Sequence, residues 1–253
     1  MKYIRMITDR EGECYGILKD GRAFAASGTP FTGLEQTGSS YDLQEVRLLP
    51  PVSYSKALCI GLNYRDHAEE FGLPIPETPV VFMKPSTALI GPGDDIIYPE
   101  MCHRLDYEAE LAVVIGKRCR NVTEEDALSY VLGYTIANDV TARDLQPKNG
   151  QWTIAKGFDT FLPLGPYISD EVDGGNLMIT SRVNGETKQK SNTSNLIFPV
   201  PYLVSYLSRV MTLLPGDVIS TGTPGGISGM NPGDVVEIEI EGLGILKNRI
   251  AKA

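Results

Sequence analysis

The stretch LDYEAELAVVIG, residues 105–116, places Asp106, Glu108 and Glu110 at every second position. Side chains alternate across an extended strand, so Glu108 and Glu110 emerge on one face, roughly 7 Å apart along the chain at about 3.3 Å per residue. Residues 111–115 are apolar at successive positions, the pattern of a strand covered on both faces. Burying unpaired carboxylates there is prohibitive, whereas a divalent ion cancels their charge and takes up their lone pairs. Asp139, at the end of the next predicted strand (GYTIAND), is in place for a third ligand. Three carboxylates suit a hard cation, Mg2+ or Mn2+ before Ca2+, with coordination positions left for water or substrate. On alternation alone, a solvated sheet face is the competing reading; the apolar continuation weighs against it.

Other residues carry complementary chemistry. His67 and Glu70 stand three apart in YRDHAEEFG, share a helix face, and form a general base with an orienting carboxylate. For an isolated HxxE the alternative is an exposed helix that happens to contain both. Lys156, flanked by Trp152, Ile154 and Phe158, has the setting of an ammonium in a partly apolar pocket that meets a substrate anion, with snorkelling to the surface as the alternative. Arg143 and Gln146 follow Asp139 closely enough to reach whatever it holds, although pairing of Arg143 with Asp144 or a distant glutamate fits the spacing equally well. The loop TGTPGG, residues 221–226, offers hydroxyls and backbone N–H groups to carboxylate oxygens. It lacks the GxxxxGK[ST] spacing, and no GxGxxG opens a helix, so a nucleotide site finds no support.

These residues need elements to carry them. Residues 1–50 show short alternating runs broken by Gly and Asp, including a Lys-Asp-Gly turn, and predict a small β-rich N-terminal domain and linker. Pro50-Pro51 marks the boundary, and residues 51–253 form the larger domain. Within it, Thr123 is a predicted N-cap with Glu124, Glu125 and Asp126 in the first turn of a short helix. Val200, Leu203, Val204, Leu207, Met211 and Leu214 define an amphipathic helix ended by Pro215-Gly216. Pro-Gly-Asp-Val occurs twice, at 215–218 and 232–235, each time as a turn feeding a β run. With 26 Gly, 17 Pro and few helical patterns, a β-dominated α+β fold is favoured over a doubly wound sheet.

Composition narrows the partners. A net charge of −9 argues against nucleic acid or an anionic membrane as the main partner. No run of about 18 apolar residues is present, nor an N-terminal apolar run of signal-peptide length, which predicts a cytoplasmic protein. Cys14, Cys59, Cys102 and Cys119 are scattered and read as reduced, structural residues.

Six segments, CIGLNYRDHAEE, FMKPSTAL, LDYEAELAVVIGK, NDVTARDLQ, WTIAKGFDTFLPLGP and PGDVISTGTPGG, occur in the order found in the fumarylacetoacetate hydrolase family, and the chain resembles that family over about residues 51–253. The resemblance implies a mixed β-sandwich-like roll, usually a homodimer, acting on 2-oxo acids. It implies metal ligands at Glu108, Glu110 and Asp139, and a His67–Glu70 dyad with Lys156 as the catalytic residues. Arg143, Gln146 and Thr223 fall at positions that contact the substrate, and Asp106 matches no ligand. Many relatives carry Arg before the Asn-Tyr pair, where this chain has Leu62, and the stretch between Asp144 and Trp152 is short compared with some members. The implied chemistry passes through an enolate stabilised by the ion, a role worth several kcal/mol. Hydrolysis of an acylpyruvate or fumarylpyruvate, with His67 activating a water, is placed slightly ahead of oxaloacetate decarboxylation and of isomerisation of hydroxymuconate-type diacids. The rivals from other classes are metal-dependent phosphoryl transfer and a non-catalytic metal-binding scaffold. The segment FGLPIPETPV after the dyad reads as a mobile lid.

Overall fold

The computed structural model describes every residue except Phe71 and Leu73. Those two fall in the segment expected to act as a lid, so that expectation lies partly outside the described residues.

The strand Ala109–Ile115 is the centre of the architecture, and every one of its seven residues is buried. It pairs antiparallel on one side with Val131–Asn138 and on the other with Val218–Ser220. Outward from there the large sheet runs through Ala57–Gly61 to the edge strand Val80–Lys84 in one direction. In the other it runs through Leu162–Ser169 to the N-terminal strands. Leu111, Val113 and Ile115 face a core shared with the five-stranded second sheet, which contributes Ile179, Ile238, Ile240 and Leu246. Ala112 and Val114 point the opposite way, into a core with Ala57, Ala137, Leu162 and Leu164. A strand segment with cores on both faces has no room for polar side chains, which is why residues 111–115 are continuously apolar. By the same alternation Glu110 shares the face of Ala112 and Val114 at the strand's open end.

The N-terminal strands Lys2–Thr8, Gly12–Lys19, Arg22–Thr29 and Gly33–Asp42 form an antiparallel meander. Asp20 and Gly21, both with positive φ, make the tight turn between the second and third of these, as an Asp-Gly pair in a hairpin requires. The meander joins the large sheet through pairing of Lys2 with Ser169 and Tyr3 with Ile168.

Helix is sparse. Arg65–Glu70 forms α1, Thr153–Lys156 forms α2, and Val200–Val210 forms α3. α3 buries Val200, Leu203, Val204 and Leu207 as the periodicity requires, with Pro199 as its N-cap. It ends one turn earlier than the apolar spacing predicts: Met211 is extended, and Leu213, not Leu214, turns inward to pair with Cys119. The predicted helix after Thr123 is reduced to a single 3-10 turn, Ala127–Tyr130. Thr123 still acts as a local cap, its Oγ1 accepting the N–H of Asp126 at 3.3 Å. The chain must re-enter the sheet at Val131, which leaves no length for a full α-helix. All four cysteines are free.

Truncating the central strand should be costly. Leu111→Ala removes a fully buried side chain between the two sheets and is expected to lower unfolding free energy by about 2–5 kcal/mol, read from urea denaturation with an unchanged slope.

Candidate metal centre

Glu108, Glu110 and Asp139 each offer an oxygen such that all three atoms lie within 4.8 Å of one another, and all three residues are buried. Two adjacent strands create this arrangement. Glu108 immediately precedes Ala109–Ile115 and Glu110 is its second residue, while Asp139 immediately follows the antiparallel partner strand, whose Asn138 stands opposite Ala109. Two hydrogen bonds lock the register at this end: the Asp139 N–H to the Glu108 carbonyl at 2.9 Å, and the Glu108 N–H to Asn138 Oδ1 at 3.0 Å.

Each carboxylate has a different environment. Glu108 is gripped by Lys156 Nζ at 2.7 Å on Oε2 and by the Arg143 guanidinium on Oε1. Burial alone would raise its pKa, but these two cations prevail and hold it well below the ordinary value. Asp139 lies between two ammonium groups, Lys84 at 2.7 Å from Oδ1 and Lys156 at 2.7 Å from Oδ2. Among the described residues, no cation pairs with Glu110. It accepts the Ser220 hydroxyl at 2.5 Å and the Gly222 N–H at 2.9 Å on Oε2. Burial, and then the neighbouring charges of Asp139 and Glu108, push its pKa well above the ordinary 4.5. A buried carboxyl raised by its like-charged neighbours lacks a positive charge, and the three oxygens converge where a cation would supply it. The donor set is all oxygen and fits a hard divalent ion; Glu108, Glu110 and Asp139 are the residues that would hold it.

The surrounding shell supports these ligands. Asp106, which matches no ligand, is fully buried and receives Arg104 Nε at 2.9 Å and Arg143 Nε at 2.8 Å. It thereby aims Arg143, which also donates to Gln146 Oε1 at 2.5 Å. The alternative pairing of Arg143 with Asp144 is not formed: Asp144 accepts the backbone N–H groups of His103 and Arg104. Lys156 closes α2 with its ammonium 5.0 Å over the Phe82 ring, so its expected apolar pocket has one aromatic wall and two carboxylates opposite. Thr223 Oγ1 accepts Gln189 Nε2 at 2.8 Å, and Gln189 Oε1 in turn accepts the Ala109 N–H at 3.1 Å.

The loop 221–226 joins the carboxylates to the dyad. Its Gly222 N–H reaches Glu110, and its Gly226 N–H reaches Glu70 Oε2 at 3.0 Å. Gly222 has φ +101°, and a Cβ there would meet Asn63 Cβ at 2.8 Å, so glycine is required on both counts. Asn63, wholly buried, donates to the carbonyls of Thr221 and Phe198 and pins the loop to the start of α3. His67 Nδ1 lies 3.8 Å from Glu70 Oε2, within ion-pair reach but longer than a hydrogen bond. Burial lowers the His67 pKa below 6.5, outweighing the upward pull of Glu108 and Glu70, so its neutral, proton-accepting form prevails at neutral pH.

The sequence reading missed Lys84, Ser220, Gln189 and Asn63. Lys84 carried the same signal as the acids, a charge closing the apolar run VVFMK. Gln189 carried none, lying between two lysines in an ordinary alternating strand.

A family described as "Fumarylacetoacetate (FAA) hydrolase C-terminal" matches residues 56–251. The chain belongs to the fumarylacetoacetate hydrolase family. Residues 1–51 match a second family, Rv2993c-like, N-terminal. Within the fumarylacetoacetate hydrolase family, the chain is similar to the crystal structure of 5-carboxymethyl-2-hydroxymuconate delta-isomerase from Mycobacterium smegmatis. That match has 42% identity and a TM-score of 0.93 and covers 100% of both chains. It is 45% identical over 219 residues to the mitochondrial oxaloacetate tautomerase FAHD2A of Bos taurus, covering 81% of this chain and 70% of that protein. It is also similar to fumarylpyruvate hydrolase from Pseudomonas aeruginosa, solved with Mn2+ and pyruvate, at 35% identity and a TM-score of 0.74, covering 82% and 92%. The protein is thus an enzyme of the fumarylacetoacetate hydrolase family acting on small acids, with a buried Glu-Glu-Asp metal site. The sequence reading put acylpyruvate hydrolysis first, whereas the delta-isomerase and the tautomerase favour its alternative, isomerisation. Among the described residues, no helix is long and apolar enough to cross a membrane.

The raised pKa of Glu110 gives the centre a pH signature. A carboxyl raised in the fold contributes stability that is fully present below its unfolded value, near 4.5, and is lost as pH rises through the folded value. An ion that binds the carboxylate offsets that loss and displaces its proton. The gain in melting temperature on saturation with Mg2+ or Mn2+ is therefore expected to grow between about pH 5 and pH 8. Differential scanning fluorimetry across that range checks it; a flat or shrinking gain contradicts the role of Glu110.

Proposed function

We propose that this protein is a Mg2+- or Mn2+-dependent isomerase or tautomerase of short 2-oxo di- or tricarboxylic acids. The observation that carries the reading is the extent of similarity: the delta-isomerase aligns over the whole of both chains, N-terminal meander included, whereas the fumarylpyruvate hydrolase aligns over 82% of this chain at a lower TM-score. The tautomerase relative points to the same proton-transfer chemistry.

The chemistry asks for a base beside an electron sink. A divalent ion at the carboxylates supplies Lewis-acid stabilisation of negative charge on the substrate's keto oxygen. His67, neutral at working pH, takes the proton from the carbon next to the keto group, with Glu70 orienting the ring and offsetting the charge it acquires. The proton is then returned at the oxygen for tautomerisation, or at the conjugated carbon for double-bond migration; no atom is gained or lost. Arg143 and Lys156 supply positive charge for the substrate's carboxylate and developing oxyanion, with Gln146 and Thr223 as positioning contacts. The substrate is the small acid itself, and a homodimer in the cytoplasm remains the proposed setting.

A second reading, carbon–carbon hydrolysis of an acylpyruvate, draws on the hydrolase relative solved with pyruvate. It needs the same His67 to activate a water instead of a C–H bond. The deciding experiment incubates the protein with Mg2+ or Mn2+ and, separately, oxaloacetate, 5-carboxymethyl-2-hydroxymuconate and fumarylpyruvate. Proton exchange and products are followed by NMR in D2O. Interconversion of isomers without pyruvate release supports the proposal; pyruvate formed from fumarylpyruvate as the fastest reaction overturns it in favour of hydrolysis.

Two outcomes concern the dyad. His67→Asn is expected to lower kcat by roughly 10²- to 10⁴-fold with metal affinity unchanged, measured by steady-state kinetics and calorimetry. The rate of the unaltered enzyme should fall with acid through a pKa below 6.5, because the base works only when deprotonated. An acid limb at or above 6.5 would remove His67 from that role.

A further inference from the structure

Lys84 is buried, and nothing in the proposed reaction uses it. It ends the edge strand Val80–Lys84, which pairs only with Ala57–Gly61, yet its side chain runs inward to the middle of the site. Its ammonium donates to three backbone carbonyls, Val140 at 2.9 Å, Lys156 at 2.7 Å and Phe161 at 2.8 Å. An ammonium has three protons, so these bonds use them all. Asp139 Oδ1, also 2.7 Å away, is therefore held by charge without a hydrogen bond of its own. Two of the three carbonyls belong to residues that matter directly: Val140 adjoins the ligand Asp139, and Lys156 supplies the ammonium on the other side of that carboxylate.

We propose that Lys84 is a positioning residue of the metal centre, fixing the backbone at Asp139 and at Lys156 so that the Asp139 carboxylate presents an oxygen to the ion beside Glu108 and Glu110. The inference rests on the metal centre described above, and it gives Lys84 no contact with substrate. It sets two effects of opposite sign against each other. Both lysines place a positive charge 2.7 Å from Asp139, and removing either charge should strengthen the pull on a cation. Only Lys84 also ties three stretches of backbone together, and losing a supporting partner behind a metal ligand costs about 10- to 100-fold in affinity. Positioning predicts that the geometric loss at Lys84 exceeds the electrostatic gain.

The test measures Mn2+ binding by isothermal titration calorimetry, with no substrate present, for the unaltered protein and for Lys84→Met, Lys84→Arg and Lys156→Met. Lys84→Met should bind Mn2+ at least tenfold more weakly, whereas Lys156→Met, which removes a positive charge from both Asp139 and Glu108 but no backbone tie, should bind equally or more tightly. Lys84→Arg keeps the charge and alters the geometry, so it should also weaken binding; it carries the test if Lys84→Met does not fold, as judged by circular dichroism without metal. Equal or tighter Mn2+ binding in a folded Lys84 variant overturns the inference. Equal weakening in Lys156→Met does so too, because it makes the effect a general one of any lysine at Asp139. Failure of the unaltered protein to bind Mn2+ refutes the metal centre itself and is distinguishable from either result.

Discussion

Three carboxylates converge within 4.8 Å in a fold that shields them from water, and the rest of the structure is arranged around that constraint. Charges of one sign so placed repel strongly in a medium of low polarity. The protein compensates unevenly. Glu108 receives Lys156 and Arg143, and Asp139 receives Lys84 and Lys156, while Glu110 is given only neutral donors from Ser220 and Gly222. That asymmetry concentrates the unmet demand for positive charge on one side of the cluster, where two strands and a glycine loop meet.

The scaffold explains how such a cluster is kept in place. A strand buried on both faces cannot slide by one residue without turning Leu111, Val113 and Ile115 into the core now filled by Ala112 and Val114. The register that places Glu108 beside Asp139 and Glu110 opposite Ala137 is thus fixed by the hydrophobic pattern several residues away. The loop 221–226 adds the second constraint, touching Glu110 at one end and Glu70 at the other, so that Glu70 and the carboxylate cluster share one piece of backbone.

Much of this was legible in the sequence because it is written as local contradiction. Acids at alternate positions leading into a continuous apolar run, an Asp closing the neighbouring strand and a Gly-rich loop after a third each break the pattern expected of their element. The β-dominated class followed from Gly, Pro and short runs, and α3 from its spacing. What escaped depended on contacts between distant segments. Lys84 gains its meaning from carbonyls at 140, 156 and 161, and Gln189 from meeting both Thr223 and the backbone of Ala109. Asp106 alternates with the two glutamates, but a pair of arginines claims it. The helix after Thr123 and the last turn of α3 failed for a shared reason: local propensity proposed them, and the demands of re-entering a sheet cut them short.

The grip of Lys84 falls on main-chain oxygens, which every amino acid possesses. The side chain at Val140 is therefore limited by core volume alone, while Phe161 also places its ring 5.7 Å from the ammonium. A single lysine at the rim of the sheet thus bears a requirement that the side chain of Val140 is spared.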